Sequence, residues 1–441
     1  MVNVMQDLKI VRERLDALVP ADRNARTHSK KQIRQIADSI RRYGFRNPIL
    51  CDADGRIVAG HGRAEAARLL GQESVPVIHV RDLTPEQLRA YAIAENKLSE
   101  LGGWDLEILA LEFQELAELD LDFDPTSIGF ETAELDLLLA EQDERESVEL
   151  APAEPARQKP AVTIVGDLWE IGRHRLICGD AREQAVYERL LDDRRAQMIF
   201  TDPPFNVMVN GHVSGLGTAH HPEFPMASGE MSPEAYTQFL ASVVTQLAAH
   251  SADGSIHFLC MDFRHMAELL AACRGVYTEF KNLCVWAKTN GGMGSLYRSQ
   301  HELVFVMKAG TAPHINNVEL GKHGRYRTNL WRYPGANAFG RNRNADLAMH
   351  PTVKPVALVA DAIMDCSHRD GIILDAFVGS GTTLLAAERS GRCGYGIELD
   401  PWYMDVALER VSAAAGEPAR LSGTAMTFEQ VRRERQPEAG Q

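Results

Sequence analysis

The sequence contains no apolar run that approaches the roughly 20 residues a helix needs to span a membrane. Its first ten residues mix Gln, Asp and Lys with apolar residues, unlike a secretory signal, so we expect a cytoplasmic protein. None of the seven cysteines stands in a C-x-x-C pair or near a histidine at a zinc-like spacing. We therefore expect no metal site, and free thiols that are mostly buried.

Positive charge is also scarce, with 47 Lys and Arg against 61 Asp and Glu and a net charge of −14. An acid excess spread evenly would argue against binding to nucleic acid. The excess is local, however, because residues 100–149 carry −16, whereas 1–99 carry +5 and 150–441 carry −3. Residues 288–349 carry +6. The charge pattern thus excludes a uniformly acidic protein but leaves DNA binding open.

The length of 441 residues allows two to four domains. Residues 141–161 contain three prolines and few apolar residues, which predicts a linker. The composition on either side predicts four further segments: a small domain over 1–100, an acidic helical extension over 101–140, an α/β domain over 162–415 and a loose tail over 416–441.

The N-terminal domain combines helical and strand patterns. Apolar residues recur every three or four positions between Gln32 and Tyr43, which predicts an amphipathic helix that ends at Gly44. Residues 48–51 and 56–59 flank Asp54-Gly55 and predict a β-hairpin.

From Val162 onward, short apolar runs alternate with helical patterns, except across 283–307, where two runs flank a Gly-rich loop. This alternation predicts an α/β fold with a mostly parallel sheet and one antiparallel element. The predicted strands are 175–178, 198–201, 255–260, 283–287, 302–307, 371–375 and 393–397.

The most distinctive motif is Thr201-Asp202-Pro203-Pro204-Phe205, which follows an apolar run. A strand that ends in this way presents a carboxylate and an aromatic ring at the carboxyl edge of the sheet, where α/β proteins bind ligands. The two prolines fix φ. A rigid loop after a core strand is the alternative interpretation.

A second motif, DAFVGSGTT, runs from Asp375 to Thr383. A strand, a Gly-rich turn and a helix in this order let backbone N–H groups approach a nucleotide-like ligand. The motif is neither G-x-G-x-x-G nor a P-loop, since no Lys follows Gly381. Glu398 ends the next predicted strand, where a carboxylate can accept hydrogen bonds from ribose hydroxyls. A third motif, HPTVKP over 350–355, would alone indicate only a turn.

Taken together and in this order, the motifs resemble the β-type S-adenosylmethionine (SAM)-dependent amino-methyltransferases of DNA, which act on adenine N6 or cytosine N4. The resemblance covers 163–412, and the stretch 286–302 is similar to one branch of that family. It implies a circularly permuted Rossmann-like fold. Strand 371–375 would be topologically first, and strands 393–397, 175–178 and 198–201 would be second, third and fourth.

The resemblance also implies SAM as the cofactor and assigns roles to the motif residues. The implied catalytic residues are Asp202, Pro203, Pro204 and Phe205. The implied SAM-binding residues are Asp180, His350, Thr352, Lys354, Asp375, Phe377, Gly379, Ser380, Gly381, Thr382 and Glu398.

Residues 289–349 interleave basic and aromatic side chains, which suits contacts with phosphates and base edges. We therefore expect a target-recognition region here, with a solvated basic face as the alternative. The candidate DNA-binding residues are Arg298, Arg325, Arg327, Arg332, Arg341 and Arg343.

Residues 8–100 resemble the α+β N-terminal domain of the ParB/sulfiredoxin family. The residues that carry this resemblance are Asn24-Ala25-Arg26, the helix 32–43 and the turn 60–63. In relatives this turn binds a nucleotide triphosphate, which makes Gly60, His61, Gly62 and Arg63 candidate nucleotide-binding residues. The turn lacks both the Cys of sulfiredoxins and the Glu-Arg-Arg of relatives that hydrolyse CTP. We expect a DNA-contacting or regulatory module, without catalysis.

Asp is commoner than Ser at the first motif position among family members that act on adenine. We therefore expect a site-specific adenine-N6 methyltransferase of double-stranded DNA, as in restriction–modification systems, associated with the nucleoid. The alternatives are a cytosine-N4 enzyme, an RNA-directed enzyme on the same scaffold, and a ParB-like DNA-binding adaptor with an inactive methyltransferase domain. A second copy of the chain, forming a homodimer, is a further candidate partner.

Overall fold

The chain divides into two units, Met1–Leu139 and Ala140–Gln441, each with its own buried core. The computed structural model describes residues 8–21, 24–100, 104, 108–109, 112–113, 129–132, 134, 136, 160–206, 227, 229–288, 296–322, 325–333 and 354–436.

The N-terminal unit contains a four-stranded sheet in the order β1-β4-β2-β3. Strand β2 runs parallel to β4 and antiparallel to β3, so the predicted hairpin is confirmed. The elements are β1 (Ile10–Arg14), α1 (Lys30–Tyr43), β2 (Ile49–Cys51), β3 (Ile57–Ala59), α2 (His61–Leu69), β4 (Ser74–His79) and α3 (Pro85–Glu100).

Helix α1 confirms the amphipathic helix predicted from sequence and begins two residues earlier. The Ser29 hydroxyl accepts a hydrogen bond from the Gln32 amide at 3.1 Å, which caps the first turn. Gly44 ends the helix with φ at 80°, a conformation that favours glycine.

The second unit contains a ten-stranded sheet in the order β11-β9-β10-β8-β7-β12-β13-β6-β5-β14. Its strands are β5 (Leu168–Ile171), β6 (His174–Cys178), β7 (Ala196–Thr201), β8 (Ser251–Met261), β9 (Glu279–Ala287), β10 (His301–Lys308), β11 (Leu330–Arg332), β12 (Ile372–Asp375), β13 (Cys393–Glu398) and β14 (Arg420–Leu421).

Helices cover both faces of this sheet. Side chains such as Leu190 and Val243 pack on one face, and Leu358 and Ile363 pack on the other. The helices are α4 (Gln184–Leu191), α5 (Pro233–Ala249), α6 (Met266–Cys273), α7 (Val356–Cys366), α8 (Thr382–Arg389), α9 (Pro401–Ala415) and α10 (Phe428–Arg435). Single 3-10 turns occur at Leu15–Ala17, Phe263–His265 and Glu319–Gly321.

The central strands confirm the circularly permuted topology. Strand β12 is parallel to β7 and to β13, and β13 is parallel to β6. The order β6-β13-β12-β7 is the predicted arrangement of third, second, first and fourth strands. The carboxyl ends of these strands therefore meet at one edge of the sheet, where α/β proteins bind their ligands.

Strand β10 is antiparallel to both of its neighbours, β8 and β9, which confirms the predicted antiparallel element. Three strands of this sheet were not predicted from the sequence. Strands β5 and β14 add further antiparallel pairs, and the short β11 is parallel to β9.

The predicted loose tail is wrong for residues 416–436. Strand β14 pairs with β5, and α10 buries Phe428 and Val431. The Phe428 ring packs against Trp169 with a centroid distance of 5.4 Å. The tail therefore closes one side of the core next to β5.

All seven cysteines lie in described segments and are free, and five of them are buried, as predicted. Within the described segments, no helix is both long enough and apolar enough to cross a membrane.

Candidate active site at the carboxyl edge of the sheet

The predicted catalytic motif begins directly after β7, at the carboxyl edge of the sheet. The neighbouring strand β12 ends at Asp375, and the Thr201 hydroxyl donates to Asp375 Oδ1 at 2.8 Å. Asp375 also accepts hydrogen bonds from the Thr383 hydroxyl at 2.6 Å and the Phe377 amide at 3.0 Å. Burial raises the pKa of Asp375. Asp375, a predicted SAM-binding residue, thus joins the end of β7 to the loop after β12.

Asp202 forms a buried ion pair that the sequence analysis did not predict. Lys354 Nζ lies 2.5 Å from Asp202 Oδ2 and 2.9 Å from Glu302 Oε2. Lys288 Nζ lies 2.5 Å from the other oxygen of Glu302. Lys354, which the resemblance placed among the SAM-binding residues, therefore contacts the predicted catalytic motif in this structure.

Burial and charge determine the ionisation of this group. Burial raises the pKa of Asp202, while the Lys354 ammonium opposes that rise. Burial would also raise the pKa of Glu302, but Lys354 and Lys288 lower it below its usual range. The pKa of Lys354 is raised, since its two carboxylate partners outweigh its burial. Lys354 is therefore charged, and Glu302 is the more strongly ionised of its partners.

The second oxygen of Asp202, Oδ1, is buried and has no hydrogen-bond partner among the described residues. A buried carboxylate oxygen without a donor is unfavourable, so such an atom marks a place where a ligand donor can bind. The Phe205 ring is partly buried, and Lys354 Nζ lies 5.5 Å from its centroid. The motif thus combines a free acceptor with an aromatic ring.

Helix α5 holds the motif in place through Tyr236, a residue that the sequence analysis missed. The Tyr236 hydroxyl donates to the Pro204 carbonyl at 2.7 Å. Its side chain is buried in the core of the second unit. An isolated Tyr in an amphipathic helix has no sequence signal that separates this role from ordinary packing.

The Gly-rich loop between β12 and α8 confirms the predicted strand, turn and helix. Gly379 and Gly381 have φ of 53° and 89°. A side chain at Gly381 would also lie 3.3 Å from Ala407. The predicted SAM-binding residues Ser380 and Thr382 are buried within this turn. The backbone can therefore come close to a ligand here.

Glu398 lies at the end of β13, beside this loop. Its carboxylate accepts hydrogen bonds from the Gly379 amide at 2.7 Å and the Asp400 amide at 2.9 Å. Burial raises the pKa of Glu398 to about 7, since the two amides only partly offset it. Each oxygen keeps a further lone pair for ribose hydroxyls. The loop and Glu398 together fit the adenosyl part of SAM.

The third strand brings Asp180 to the same edge. The Gly179 amide donates to the Glu398 carbonyl at 2.9 Å. The Asp180 carboxylate forms an ion pair with Arg182 at 2.5 Å. His350 and Thr352 lie outside the described residues. Among the described residues, no group of three or more His, Cys, Asp or Glu has an arrangement that could hold a metal ion.

The structure corrects the expectation that Arg325 and Arg327 contact DNA. Arg325 is 4% exposed and lies 2.6 Å from Asp365 Oδ1. Arg327 lies 3.0 Å from Asp365 Oδ2 and 3.2 Å from Asp361. Both arginines are thus held against α7. Of the other candidates, Arg298 and Arg332 are exposed, whereas Arg341 and Arg343 lie outside the described residues.

The candidate nucleotide-binding turn of the N-terminal unit begins α2. Gly60 has φ of 104°, which favours glycine. The Ala21 amide donates to His61 Nε2 at 3.3 Å, and a side chain at Gly62 would lie 3.1 Å from the His28 ring. Arg63 Nε is buried and has no hydrogen-bond partner among the described residues.

Three family models match this chain. They describe a DNA methylase over 196–409, a ParB-methyltransferase HTH domain over 107–164 and a ParB N-terminal domain over 4–97. The HTH match spans both the acidic extension and the predicted linker.

Individual proteins are similar over shorter stretches. The ParB-like nuclease domain-containing protein YnaK of Escherichia coli (strain K12) is 50% identical over 82 residues, which are 19% of this chain and 94% of YnaK. Type II methyltransferase M.ScaI of Streptomyces caespitosus is 39% identical over 92 residues, which are 21% of this chain and 30% of M.ScaI.

A solved complex of M1.HpyAVI with SAM covers 54% of this chain and 98% of its own, at 20% identity and a TM-score of 0.40. The DNA methylase match lies within the second unit, and the ParB N-terminal match lies within the first. By these matches, residues 196–409 form a DNA methylase domain of the N6/N4 family, and a ParB-like domain lies before it at residues 4–97.

Proposed function

We propose that this protein transfers a methyl group from SAM to the exocyclic N6 amine of adenine at specific sites in double-stranded DNA. The observation that carries the proposal is Asp202 Oδ1, a buried acceptor without a donor at the carboxyl edge of the sheet. An amine with two N–H groups supplies what this atom lacks.

The residues of the motif would act on the amine by hydrogen bonding. Asp202 Oδ1 and the Pro203 carbonyl would each accept one N–H, which favours a pyramidal nitrogen and stabilises its developing positive charge. When bound, SAM supplies an electrophilic methyl group whose C–S bond breaks as the nitrogen lone pair forms the N–C bond. The nitrogen then loses one proton, which Asp202 would accept.

The amine lies inside the duplex, so the base must be flipped out to reach Asp202. Phe205 would stack on the flipped base. The exposed Arg298 and Arg332 would contact DNA, together with the ParB-methyltransferase HTH domain matched over 107–164. A DNA substrate would bring the protein to the nucleoid.

Adenine is preferred over cytosine because the motif begins with Asp. Both bases present an exocyclic amine, so the contacts of Asp202 support the two targets equally. The adaptor alternative is disfavoured, since Asp202, Gly379 and Glu398 keep an arrangement suited to transfer and to SAM.

The decisive experiment incubates the full chain with labelled SAM and double-stranded DNA and then separates the nucleosides. We expect N6-methyladenine from the wild type and a loss of about 10²–10³-fold in the transfer rate for Asp202→Asn, since the amide removes the negative charge that stabilises the transition state. Asp193→Asn, which changes an exposed carboxyl of the same unit, serves as the matched control and should keep full activity.

Each outcome separates the alternatives. N4-methylcytosine without N6-methyladenine would replace the adenine assignment by the cytosine one. Label on RNA alone would favour the RNA-directed enzyme. Absence of transfer by the wild type, together with retained DNA binding, would favour the adaptor.

A further inference from the structure

A chain of four alternating charges leads from the end of β9 to the catalytic motif. Lys288 contacts Glu302 at 2.5 Å, and Glu302 contacts Lys354 at 2.9 Å. Lys354 in turn contacts Asp202 at 2.5 Å. The side chains of Glu302, Lys354 and Asp202 are 15%, 6% and 19% exposed. Charges this far removed from water interact strongly, so removing the charge of Glu302 changes the electrostatic environment of Asp202.

The contact between Lys354 and Asp202 opposes the role of Asp202. A carboxylate held against an ammonium has its negative charge partly neutralised by that cation. Methyl transfer requires the opposite, because the amine nitrogen becomes positive and is stabilised by an unshared negative charge. Lys354 therefore hinders transfer unless a second anion can hold its ammonium.

Glu302 provides that second anion. It lies on β10, in register with Trp286 of β9, and β10 pairs with β8 from the next residue, Leu303, so the strand holds its backbone in place. The four-carbon stem of Lys354, in contrast, lets its Nζ shift between two carboxylates that it already contacts. Lys288 neutralises only the far oxygen of Glu302 and keeps this residue ionised.

We propose that Glu302 is a positioning residue for methyl transfer, which takes up the Lys354 ammonium when the target amine reaches Asp202. Asp202 thereby regains its full negative charge at the moment when the nitrogen needs it. Lys354 stays protonated throughout, so no proton passes from Lys354 to Asp202 or Glu302. The inference rests on the proposed methyl transfer but holds for adenine and cytosine alike, since both present an exocyclic amine.

The test replaces Glu302 by Gln, which keeps the shape of the side chain and removes its charge. Glu302→Asp keeps the charge on a shorter side chain. Glu279→Gln is the matched control, because Glu279 pairs with Lys281 on β9 but is exposed. Thermal unfolding and SAM binding by calorimetry verify that each variant is folded and loads the cofactor.

Two measurements report on Asp202. The first is the pH dependence of the single-turnover rate, and the second is the ¹³C NMR titration of the Asp202 carboxyl without SAM or DNA, assigned with Asp202→Asn. Three titratable groups interact with the charge chain from outside it, namely Asp375, Cys260 and Tyr236, and its own cations are Lys354 and Lys288. All of these are the same in Glu302→Gln and in the wild type.

For Glu302→Gln we expect a single-turnover rate about tenfold lower on the plateau, with unchanged affinity for SAM. The carboxylate of Glu302 raises the pKa of Asp202, so its removal should move both the acid limb of the rate and the NMR titration to lower pH. Glu302→Asp should restore most of the rate and the wild-type acid limb. Glu279→Gln should match the wild type throughout.

A rate that falls without any movement of the acid limb or the NMR titration would show a merely structural role and overturn the proposal. So would a Glu302→Gln variant with the wild-type rate. These results differ from a failure of the proposed function, in which the wild type itself would transfer no methyl group to any amine.

Discussion

At the scale of single residues, the sheet edge carries two buried carboxylates in different electrostatic surroundings. Asp202 lies against the ammonium of Lys354, whereas Glu398 accepts hydrogen bonds from the neutral amides of Gly379 and Asp400. Neutral dipoles compensate burial less than a full charge does. Glu398 therefore titrates near neutral pH, with a pKa of about 7.

This difference predicts that SAM binds more tightly as the pH rises. The ionised Glu398 offers more acceptors to ribose hydroxyls than the protonated acid, and the fraction ionised increases about tenfold between pH 6 and 8 for a pKa near 7. We expect the dissociation constant measured by calorimetry to fall by about the same factor, with a proton released on binding.

Glu398→Gln should bind SAM more weakly and lose this part of the pH dependence. SAM has titratable groups of its own, which contribute equally in the variant and the wild type. Comparing the pH dependence of the two dissociation constants therefore isolates the contribution of Glu398. Glu417→Gln, an exposed carboxyl of the same unit, is the control. Equal slopes in Glu398→Gln and the wild type would contradict a ribose contact by Glu398.

Single residues also show where the sequence stops being informative. Asp202, the Gly-rich loop and Glu398 follow apolar strands directly, so their common location at the sheet edge could be predicted. The contact between Lys354 and Asp202 joins residues 152 positions apart, and no local pattern encodes such a pair. Arg325 was assigned to DNA because basic and aromatic residues alternate around it, and only the fold reveals that Asp365 neutralises it.

At the scale of elements, every strand with four or more buried residues was predicted, and the strands that were missed have three or fewer. Strand β14 has two residues, and α10 contains three arginines in its last turn, so its sequence is typical of a solvated tail. Its two buried residues, Phe428 and Val431, are too few to show the hydrophobic periodicity of an amphipathic helix. Tertiary packing on Trp169 determines this helix rather than its own composition.

Close packing between β13 and the Gly-rich loop yields a second prediction. A side chain at Gly396 would lie 2.2 Å from Val378 Cγ2, in the loop that leads to Gly379. Gly396→Ala should therefore destabilise the protein by about 1–3 kcal/mol, as overpacked cores do. It should also weaken SAM binding, because Val378 moves the Gly379 amide. Thermal unfolding and calorimetry measure the two effects.

The double variant Gly396→Ala/Val378→Ala is the matched control, since it removes the methyl groups that collide. We expect it to regain most of the lost stability. If both variants were equally destabilised, the collision with Val378 would not be the cause.

At the scale of the whole molecule, each of the two units buries apolar side chains of its own. Ile49, Ile57 and Val77 pack within the N-terminal unit, and Ile373 packs within the large sheet of the second unit. These buried clusters each lie within one unit. We therefore expect the loss of one buried side chain to lower the stability of that unit alone.

Scanning calorimetry can test this independence. Ile49→Ala should lower the unfolding free energy of the N-terminal unit by about 2–5 kcal/mol and leave the transition of the second unit in place. Ile373→Ala should have the opposite pattern. A single transition that both variants lower to the same extent would show instead that the two units unfold together.

The overall charge of −14 reflects residues 100–149, a segment that the sequence analysis divided between an acidic extension and a linker. The match to a ParB-methyltransferase HTH domain over 107–164 spans this segment. Composition predicted the acidic helices but carried no sign of such a domain, because helix pairs of this kind are recognised by their family pattern rather than by charge.

Two residues with well-defined contacts, Tyr333 and Lys354, border the segment 334–353. Before this segment, Tyr333 is held by Trp286, which donates to its carbonyl at 3.0 Å, and by Arg327, which donates to its hydroxyl at 2.9 Å. After it, Lys354 is held by Asp202 and Glu302. With both borders held, we expect substitutions within 334–349 to leave Asp202 in place, so the proposed choice of DNA site can diverge while the proposed chemistry is retained.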